Sequence, residues 1–228
     1  MALGADIPPG QDQWHPTSVR PGGKTGAVAI CLPGPEIIMD AILTSTAVVA
    51  LAEIGDKTML LAIVLATRFR KPVPIILGIL VATLANHGIA AFVGQSIANI
   101  LEGVWFRYAV GASFVAMALW TLVPDKLDED EEHKQPRFGA FLATAIAFFI
   151  VEIGDKTQVA TIALGAQFQN VFLVTVGTTL GMMLANVPAV YFGDRIVKLV
   201  PLNVVRTIAA LLFLLIGLWV IAETAGWV

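Results

Sequence analysis

The hexapeptide Glu53-Ile54-Gly55-Asp56-Lys57-Thr58 lies within a long apolar segment and returns unchanged as Glu152-Ile153-Gly154-Asp155-Lys156-Thr157. We call residues 53–58 the first motif and residues 152–157 the second motif. The same offset of 99 residues relates Gly78 to Gly177, Arg107 to Arg206, Phe114 to Phe213 and Trp120 to Trp219. Because the similarity extends well beyond the motif, the sequence predicts two copies of one larger structural unit.

The composition around the motifs is typical of a membrane protein. Of the 228 residues, 57% are hydrophobic and 14% are charged, and the mean hydropathy is +0.81. Soluble domains carry about 25% charged residues. The net charge of −3 offers no basic face for nucleic acid, and the single cysteine, Cys31, excludes a disulfide framework within the chain. We therefore predict an all-α membrane protein.

The apolar runs predict six transmembrane helices, since about 20 apolar residues cross a bilayer. The helices lie at about residues 41–66, 73–97, 105–123, 138–166, 170–193 and 204–225. Proline and glycine punctuate residues 1–38, which we expect to form a disordered or loosely attached N-terminal arm. Residues 124–137 hold six acidic residues and form a polar loop. This loop divides a first three-helix repeat, residues 39–123, from a second, residues 138–228.

An odd number of helices in each repeat makes the second copy enter the membrane from the opposite side. Inverted repeats of this kind are typical of secondary transporters, whose sites form near the midplane between the repeats. With the amino terminus outside, nine Lys and Arg residues fall on the inner side and three on the outer side. The positive-inside rule then places both termini outside and the acidic loop in the cytoplasm.

Each motif places two acids and one lysine near the middle of a predicted span. Charged groups at that depth cost roughly 2.5 to 3.5 kcal/mol each on insertion scales, and they are functional by default. On a continuous helix, residues three or four apart share a face. Glu53 and Asp56 would then point at one spot, and Lys57 would pair with Glu53 or with a carbonyl group. The two motifs together carry a net charge of −2, which one divalent cation would neutralise.

Oxygen atoms dominate the donors of this predicted site, and hard cations such as Ca, Mg and Mn prefer them. The predicted metal ligands are Glu53, Asp56, Glu152 and Asp155, with Lys57 and Lys156 balancing charge. Further candidate ligands are Asn86, Asn186, Thr58, Thr157 and Gln158. The alternative for the asparagines is an interhelical hydrogen bond, and for the threonines a bond to their own backbone.

The triplet Leu84-Ala85-Asn86 recurs as Leu184-Ala185-Asn186, one residue out of the 99-residue register. This match pairs Asn86 with Asn186 and leaves His87 opposite Val187, without a counterpart. We therefore interpret His87 as a buried histidine with its hydrogen bonds satisfied.

Four carboxylates crowded together repel one another, and protons or a metal ion relieve this repulsion. Metal binding then releases protons, and coupling to alternating access gives proton antiport. We therefore predict a secondary transporter, not an enzyme, that exports a divalent cation in exchange for protons and needs no cofactor. Its partners would be the cation, protons and the lipid bilayer. The alternatives are an intramembrane di-aspartyl enzyme using Asp56 and Asp155, or a passive divalent cation channel.

The doubled Glu-x-Gly-Asp-Lys-Thr motif, with three helices each and an acidic central loop, resembles the Gdt-type family of cation/proton exchangers. The resemblance covers about residues 39–228. It implies transport of manganese in the first place and calcium in the second, at a site formed by the motif acids. Members occur in bacterial plasma membranes, the Golgi and plastids. The compact chain without a long organellar targeting segment favours the bacterial plasma membrane.

Overall fold

The computed structural model describes residues 35–101, 103–123, 139–193, 195 and 201–227. The described residues form eight α-helices and no strand, which confirms the predicted all-α class. The helices are α1 (Pro35–Glu53), α2 (Lys57–Phe69), α3 (Pro72–Ile100), α4 (Val104–Thr121), α5 (Ala140–Glu152), α6 (Lys156–Phe168), α7 (Val171–Phe192) and α8 (Leu202–Ala225). The predicted acidic loop and residues 1–34 of the predicted arm lie outside the described residues. The last four residues of that arm are helical, because α1 begins at Pro35.

Four of the described helices are long and apolar enough to cross a membrane. They are Pro72–Ile100, Val104–Thr121, Val171–Phe192 and Leu202–Thr224. Large apolar side chains lie exposed along them, including Phe92, Leu184 and Trp219. Extensive exposed apolar surface of this kind suits lipid rather than water. The chain is therefore a multi-pass membrane protein.

The other two predicted spans, 41–66 and 138–166, are interrupted at the motifs, which corrects the prediction of continuous helices. The first span is divided into α1 and α2, and the second into α5 and α6. Gly55 has φ +83° and Gly154 has φ +78°, in the left-handed region where helices of L-residues cannot continue. The next residue, Asp56 or Asp155, is extended and occupies the N-cap position of the following helix.

Each interrupted helix packs closely against the long helix of the other repeat. A Cβ atom added at Gly78 of α3 would lie 2.7 Å from the carbonyl oxygen of Phe141 in α5. At Gly177 of α7, it would lie 2.8 Å from the carbonyl oxygen of Ile42 in α1. The two contacts are 99 residues apart on both sides, so the helix pairs meet in the same way. Glycine permits this approach because it has no side chain.

Helices α4 and α8 pack against each other beside this group. The rings of Phe114 and Phe213, both buried, have centroids 6.4 Å apart. A Cβ atom at Gly217 would lie 2.8 Å from the carbonyl oxygen of Gly111. Phe114 and Phe213 are equivalent in the repeat, so residues that correspond in sequence contact each other. The N-terminal part of α8 also covers the first motif, where Arg206 Nη2 lies 3.4 Å from the carbonyl oxygen of Gly55.

Candidate cation site

Three motif carboxylates meet in the interior of the protein. Glu53, Glu152 and Asp155 each offer one oxygen atom, and these atoms lie within 4.8 Å of one another. Their exposed fractions are 0%, 2% and 3%. Two unit charges 4 Å apart repel by about 4 kcal/mol at an effective dielectric constant of about 20. Such a group is stable only when a cation or protons compensate its charge.

The interruptions of the helices bring these carboxylates together. Glu53 is the last residue of α1, Glu152 is the last residue of α5, and Asp155 immediately precedes α6. Asp56 is also buried, at the N-cap position of α2. It is not a member of the three-carboxylate group. The structure therefore assembles three of the four predicted ligands and places the fourth at the adjoining turn.

Each glutamate has one oxygen that is held and one that is free for a ligand. Glu53 Oε2 accepts hydrogen bonds from the hydroxyl of Thr58 and from Asn186 Nδ2, the latter at 3.4 Å. Glu152 Oε1 accepts from the hydroxyl of Thr157 and lies 3.3 Å from His87 Nε2. Glu53 Oε1 and Glu152 Oε2 are buried without a hydrogen-bond partner among the described residues. A buried oxygen in this state is available to a cation.

The hydroxyls of Thr58 and Thr157 therefore donate to carboxylates, and not to their own backbone as the alternative prediction had it. Both hydroxyls donate to the glutamate five residues earlier, on the other side of the turn. Thr157 Oγ1 also lies 3.3 Å from Asp155 Oδ2. The threonines therefore orient the carboxylates from within each motif.

The two motif lysines have different partners. Lys57 Nζ lies 3.2 Å from Asp155 Oδ1, an ion pair between the first and second motifs. This contact corrects the predicted pairing of Lys57 with Glu53, which assumed a continuous helix. Lys156 Nζ donates to the carbonyl oxygen of Val123, just after α4, at 2.9 Å. With all three carboxylates ionised and Lys57 included, the group would carry a net charge of −2.

The hydrogen bonds of Asn86 and Gln158 stabilise the turn of the second motif, at Gly154, rather than orienting a motif carboxylate. Gln158 Oε1 accepts from the backbone amide of Gly154 at 2.8 Å, and Gln158 Nε2 donates to Asn86 Oδ1. Asn86 Nδ2 lies 3.4 Å from the carbonyl oxygen of Phe149. In this structure Asn86 makes the interhelical hydrogen bonds that the sequence offered as the alternative to a ligand role.

Asn186 and His87 are the long-helix residues that reach the glutamates. Asn186 of α7 contacts Glu53, and its Oδ1 is buried without a hydrogen-bond partner among the described residues. His87 of α3 is buried, as predicted, and contacts Glu152 through Nε2. Its Nδ1 is buried without a hydrogen-bond partner among the described residues, so the prediction that its hydrogen bonds are satisfied is wrong. The structure corrects the pairing of Asn86 with Asn186, since His87 and Asn186 are separated by the 99 residues that relate the motifs. The 99-residue offset between His87 and Asn186 can be counted in the sequence, but the recurring Leu-Ala-Asn triplet favoured the pairing of the two asparagines.

Helices interrupted at charged residues in the membrane interior are typical of secondary transporters, and this is the class that the fold and the acid group indicate. The sequence matches the family described as "Divalent cation/proton antiporter GDT1" in two segments, residues 41–129 and 140–227. The chain therefore belongs to the GDT1 family of divalent cation/proton antiporters. It is a transporter and not an enzyme, which excludes the di-aspartyl alternative.

Relatives of this chain come from bacteria and plants. A "Putative manganese exporter" of Vibrio cholerae serotype O1 is 50% identical over 184 residues, which cover 80% of this chain and 91% of the relative. "GDT1-like protein 4" of Oryza sativa subsp. indica is 27% identical over 225 residues, 88% of this chain and 78% of the relative. "GDT1-like protein 5" of Arabidopsis thaliana is 26% identical over 218 residues, 79% of this chain and 95% of the relative. No solved structure matches the chain.

Proposed function

We propose that this protein exports a divalent cation, manganese before calcium, in exchange for protons, and that the motif carboxylates form the cation site. The observation that carries the proposal is the buried group of Glu53, Glu152 and Asp155. Two of its oxygens have no hydrogen-bond partner among the described residues. One divalent cation matches the net charge of −2 that the group has with Lys57.

The donor atoms support a hard cation. The three carboxylates are oxygen donors that suit Mn²⁺, Ca²⁺ and Mg²⁺. The amide oxygen of Asn186, which is buried without a hydrogen-bond partner among the described residues, is a further candidate. The name of the 50% identical relative, "Putative manganese exporter", favours Mn²⁺ as the substrate. Asp56 belongs to the proposed site by its equivalence to Asp155 in the repeat, and Lys57 and Lys156 balance charge.

Proton coupling follows from the charge of the site. Bound protons and a bound cation each relieve the repulsion among the carboxylates, and each makes the other less favourable. Release of the cation on one side of the membrane then favours proton binding there. This competition makes a single group of acids sufficient for exchange, without a separate proton pathway.

The proposed architecture has six membrane crossings in two inverted repeats. We count α1 with α2 as one interrupted span, and α5 with α6 as another, beside the four long helices. Three spans in each of residues 39–123 and 138–228 give opposite orientations. The reciprocal contacts of Gly78 and Gly177, and the contact of Phe114 with Phe213, support this arrangement. Both termini would lie outside a bacterial plasma membrane, with residues 124–137 in the cytoplasm.

The decisive experiment is cation uptake into sealed liposomes that contain the purified protein and have an acidic lumen. An exchanger drives Mn²⁺ inward against its own gradient while protons leave, and a passive channel does not. Parallel measurements with Ca²⁺ and Mg²⁺ give the order of preference. Mn²⁺ uptake that does not depend on the pH gradient would contradict the proposal and favour the passive channel.

Variants of the same protein test the site assignment. Glu53→Gln and Asp155→Asn each remove one negative charge and should abolish most of the coupled uptake. Asp40→Asn is the matched control, because Asp40 lies in α1 but is exposed and outside the carboxylate group. If Glu53→Gln and Asp155→Asn proteins transported Mn²⁺ at the rate of the Asp40→Asn protein, the carboxylate group would not be the cation site.

A further inference from the structure

The two glutamates of the proposed site are held by matching sets of donors. One oxygen of each accepts from the threonine five residues later in its own motif. The same oxygen faces a donor on the long helix of the other repeat. For Glu53 this donor is Asn186 Nδ2 at 3.4 Å, and for Glu152 the facing group is His87 Nε2 at 3.3 Å.

The repeat relates these two donors to each other. The separation of His87 and Asn186 equals the separation of Glu53 and Glu152, and both residues are fully buried. Asn86, the adjacent residue on α3, contacts Gln158 and the backbone of α5 instead. His87 therefore occupies the place in the first repeat that Asn186 occupies in the second.

We propose that His87 is a positioning residue for Glu152, and that its imidazole does for this carboxylate what the Asn186 amide does for Glu53. When Glu152 is ionised, as it is with a bound cation, its oxygens only accept hydrogen bonds, and Nε2 of His87 is then the donor. Thr157 and His87 together hold Oε1. The second oxygen, Oε2, is thereby directed to the cation.

This inference rests on the proposed function and adds a residue that the motif itself does not contain. It also explains why an imidazole is buried among acids without being a member of the carboxylate group. A neutral imidazole that donates from Nε2 leaves the charge of the site unchanged. Outer residues of this kind typically change metal affinity by 10- to 100-fold when they are removed.

The test compares variants that keep a hydrogen-bond donor at position 87 with one that removes it. His87→Asn copies the residue of the second repeat, and His87→Gln supplies an amide with a longer reach. The leucine of His87→Leu has the same branched arrangement of non-hydrogen side-chain atoms as asparagine but no donor. We expect the leucine variant to weaken Mn²⁺ binding by about 10- to 100-fold and the amide variants to retain most of it. Ser96→Ala is the control, since Ser96 lies half-buried on α3, away from the carboxylate group, and its hydroxyl donates to the carbonyl oxygen of Phe92 in the same helix.

Binding is measured directly, by electron paramagnetic resonance of Mn²⁺ with purified protein in detergent, and thermal unfolding shows that each variant is folded. The Mn²⁺ concentration for half-maximal transport should rise in the leucine variant. In an amide variant it should be close to the value of the unmodified protein. Unchanged binding in folded His87→Leu protein would overturn the inference, and so would equal losses in all three variants. If His87→Leu does not fold, failure of both amide variants to bind also overturns it. Failure of the unmodified protein to bind Mn²⁺ would instead refute the proposed function.

Discussion

The glycine of each motif lies in the turn that interrupts the helix, two residues after the first helical segment ends. Gly55 and Gly154 have φ angles near +80°, where a β-carbon costs roughly 1 to 2 kcal/mol. Because the chain turns there, the glutamate before the glycine and the aspartate after it no longer follow helical spacing. The carboxylates of one motif can then meet those of the other.

Alanine in place of Gly154, in the turn of the second motif, should destabilise the protein through backbone strain alone. No described atom lies within 4 Å of a Cβ atom at Gly154, so Gly154→Ala should lower the free energy of unfolding by about 1 kcal/mol. Gly55→Ala should cost more, because Leu202 Cδ2 would lie 2.6 Å away. Unfolding by a denaturing detergent measures both. Gly139→Ala, at φ −63°, is the control, and equal stability of Gly139→Ala and Gly154→Ala proteins would contradict the strain.

Removal of the Lys57 ammonium group should make the protein depend more on its cation. In Lys57→Met protein, Asp155 loses its ion-pair partner and the carboxylate group becomes more negative. We expect a loss of about 1 to 3 kcal/mol in stability without metal, and a larger rise in unfolding temperature on adding Mn²⁺. Thermal unfolding with and without Mn²⁺ measures this difference. Lys71→Met, at an exposed lysine before α3, should behave like the unmodified protein. A Mn²⁺ response unchanged by Lys57→Met would show that the ion pair does not compete with the cation.

Among the helices, the contacts between repeats position the interrupted segments. The backbone of α3 touches α5, and the backbone of α7 touches α1, at glycines that are equivalent in the repeat. These contacts involve carbonyl oxygens of packed helices, which cannot move aside as a flexible side chain can. The positions of Glu53 and Glu152 at the ends of α1 and α5 therefore depend on α7 and α3.

Alanine at Gly78 should separate α3 from α5. Its Cβ atom would lie 2.7 Å from the carbonyl oxygen of Phe141, so we expect a loss of about 1 to 3 kcal/mol, the usual cost of overpacking. Gly177→Ala should cost a similar amount. Gly88→Ala is the control on α3, because the nearest atom, Thr175 Cγ2, is 3.8 Å away. Unfolding titrations compare the three proteins. Equal stability of Gly78→Ala and Gly88→Ala proteins would contradict the close packing.

The protein as a whole surrounds its acids with the two repeats. Glu53 comes from the first repeat, whereas Glu152 and Asp155 come from the second. The ion pair of Lys57 with Asp155 and the contacts of Asn186 and His87 all cross between the repeats. A movement of one repeat against the other therefore changes every one of these contacts together. Such a site is suited to alternating access.

The proposed orientation predicts which chain segments reach the cell exterior. In a Cys31→Ser background, Trp227→Cys should react in intact cells with a maleimide that cannot cross membranes. Glu131→Cys, in the acidic loop, should react only after the cells are opened. The reverse pattern would place both termini in the cytoplasm and would overturn the orientation drawn from the positive charges.

The sequence predicted the long helices well and the interrupted ones incompletely. The runs that became α3, α4, α7 and α8 are long and predominantly apolar, so hydropathy alone located them. The interruptions had a local signal, because a glycine followed by aspartate is a helix end followed by an N-cap residue. That signal was masked by the apolar residues on both sides, which favour one continuous span.

The duplicated motif and the membrane character follow from the order of residues, since each is a property of one segment and its neighbours. The partners of the charged groups do not follow from that order. Lys57 forms an ion pair with Asp155, and His87 contacts Glu152, although the paired residues are distant in sequence. Those contacts exist only when the helices are interrupted around Gly55 and Gly154 and the repeats have packed together, and folding alone establishes both conditions.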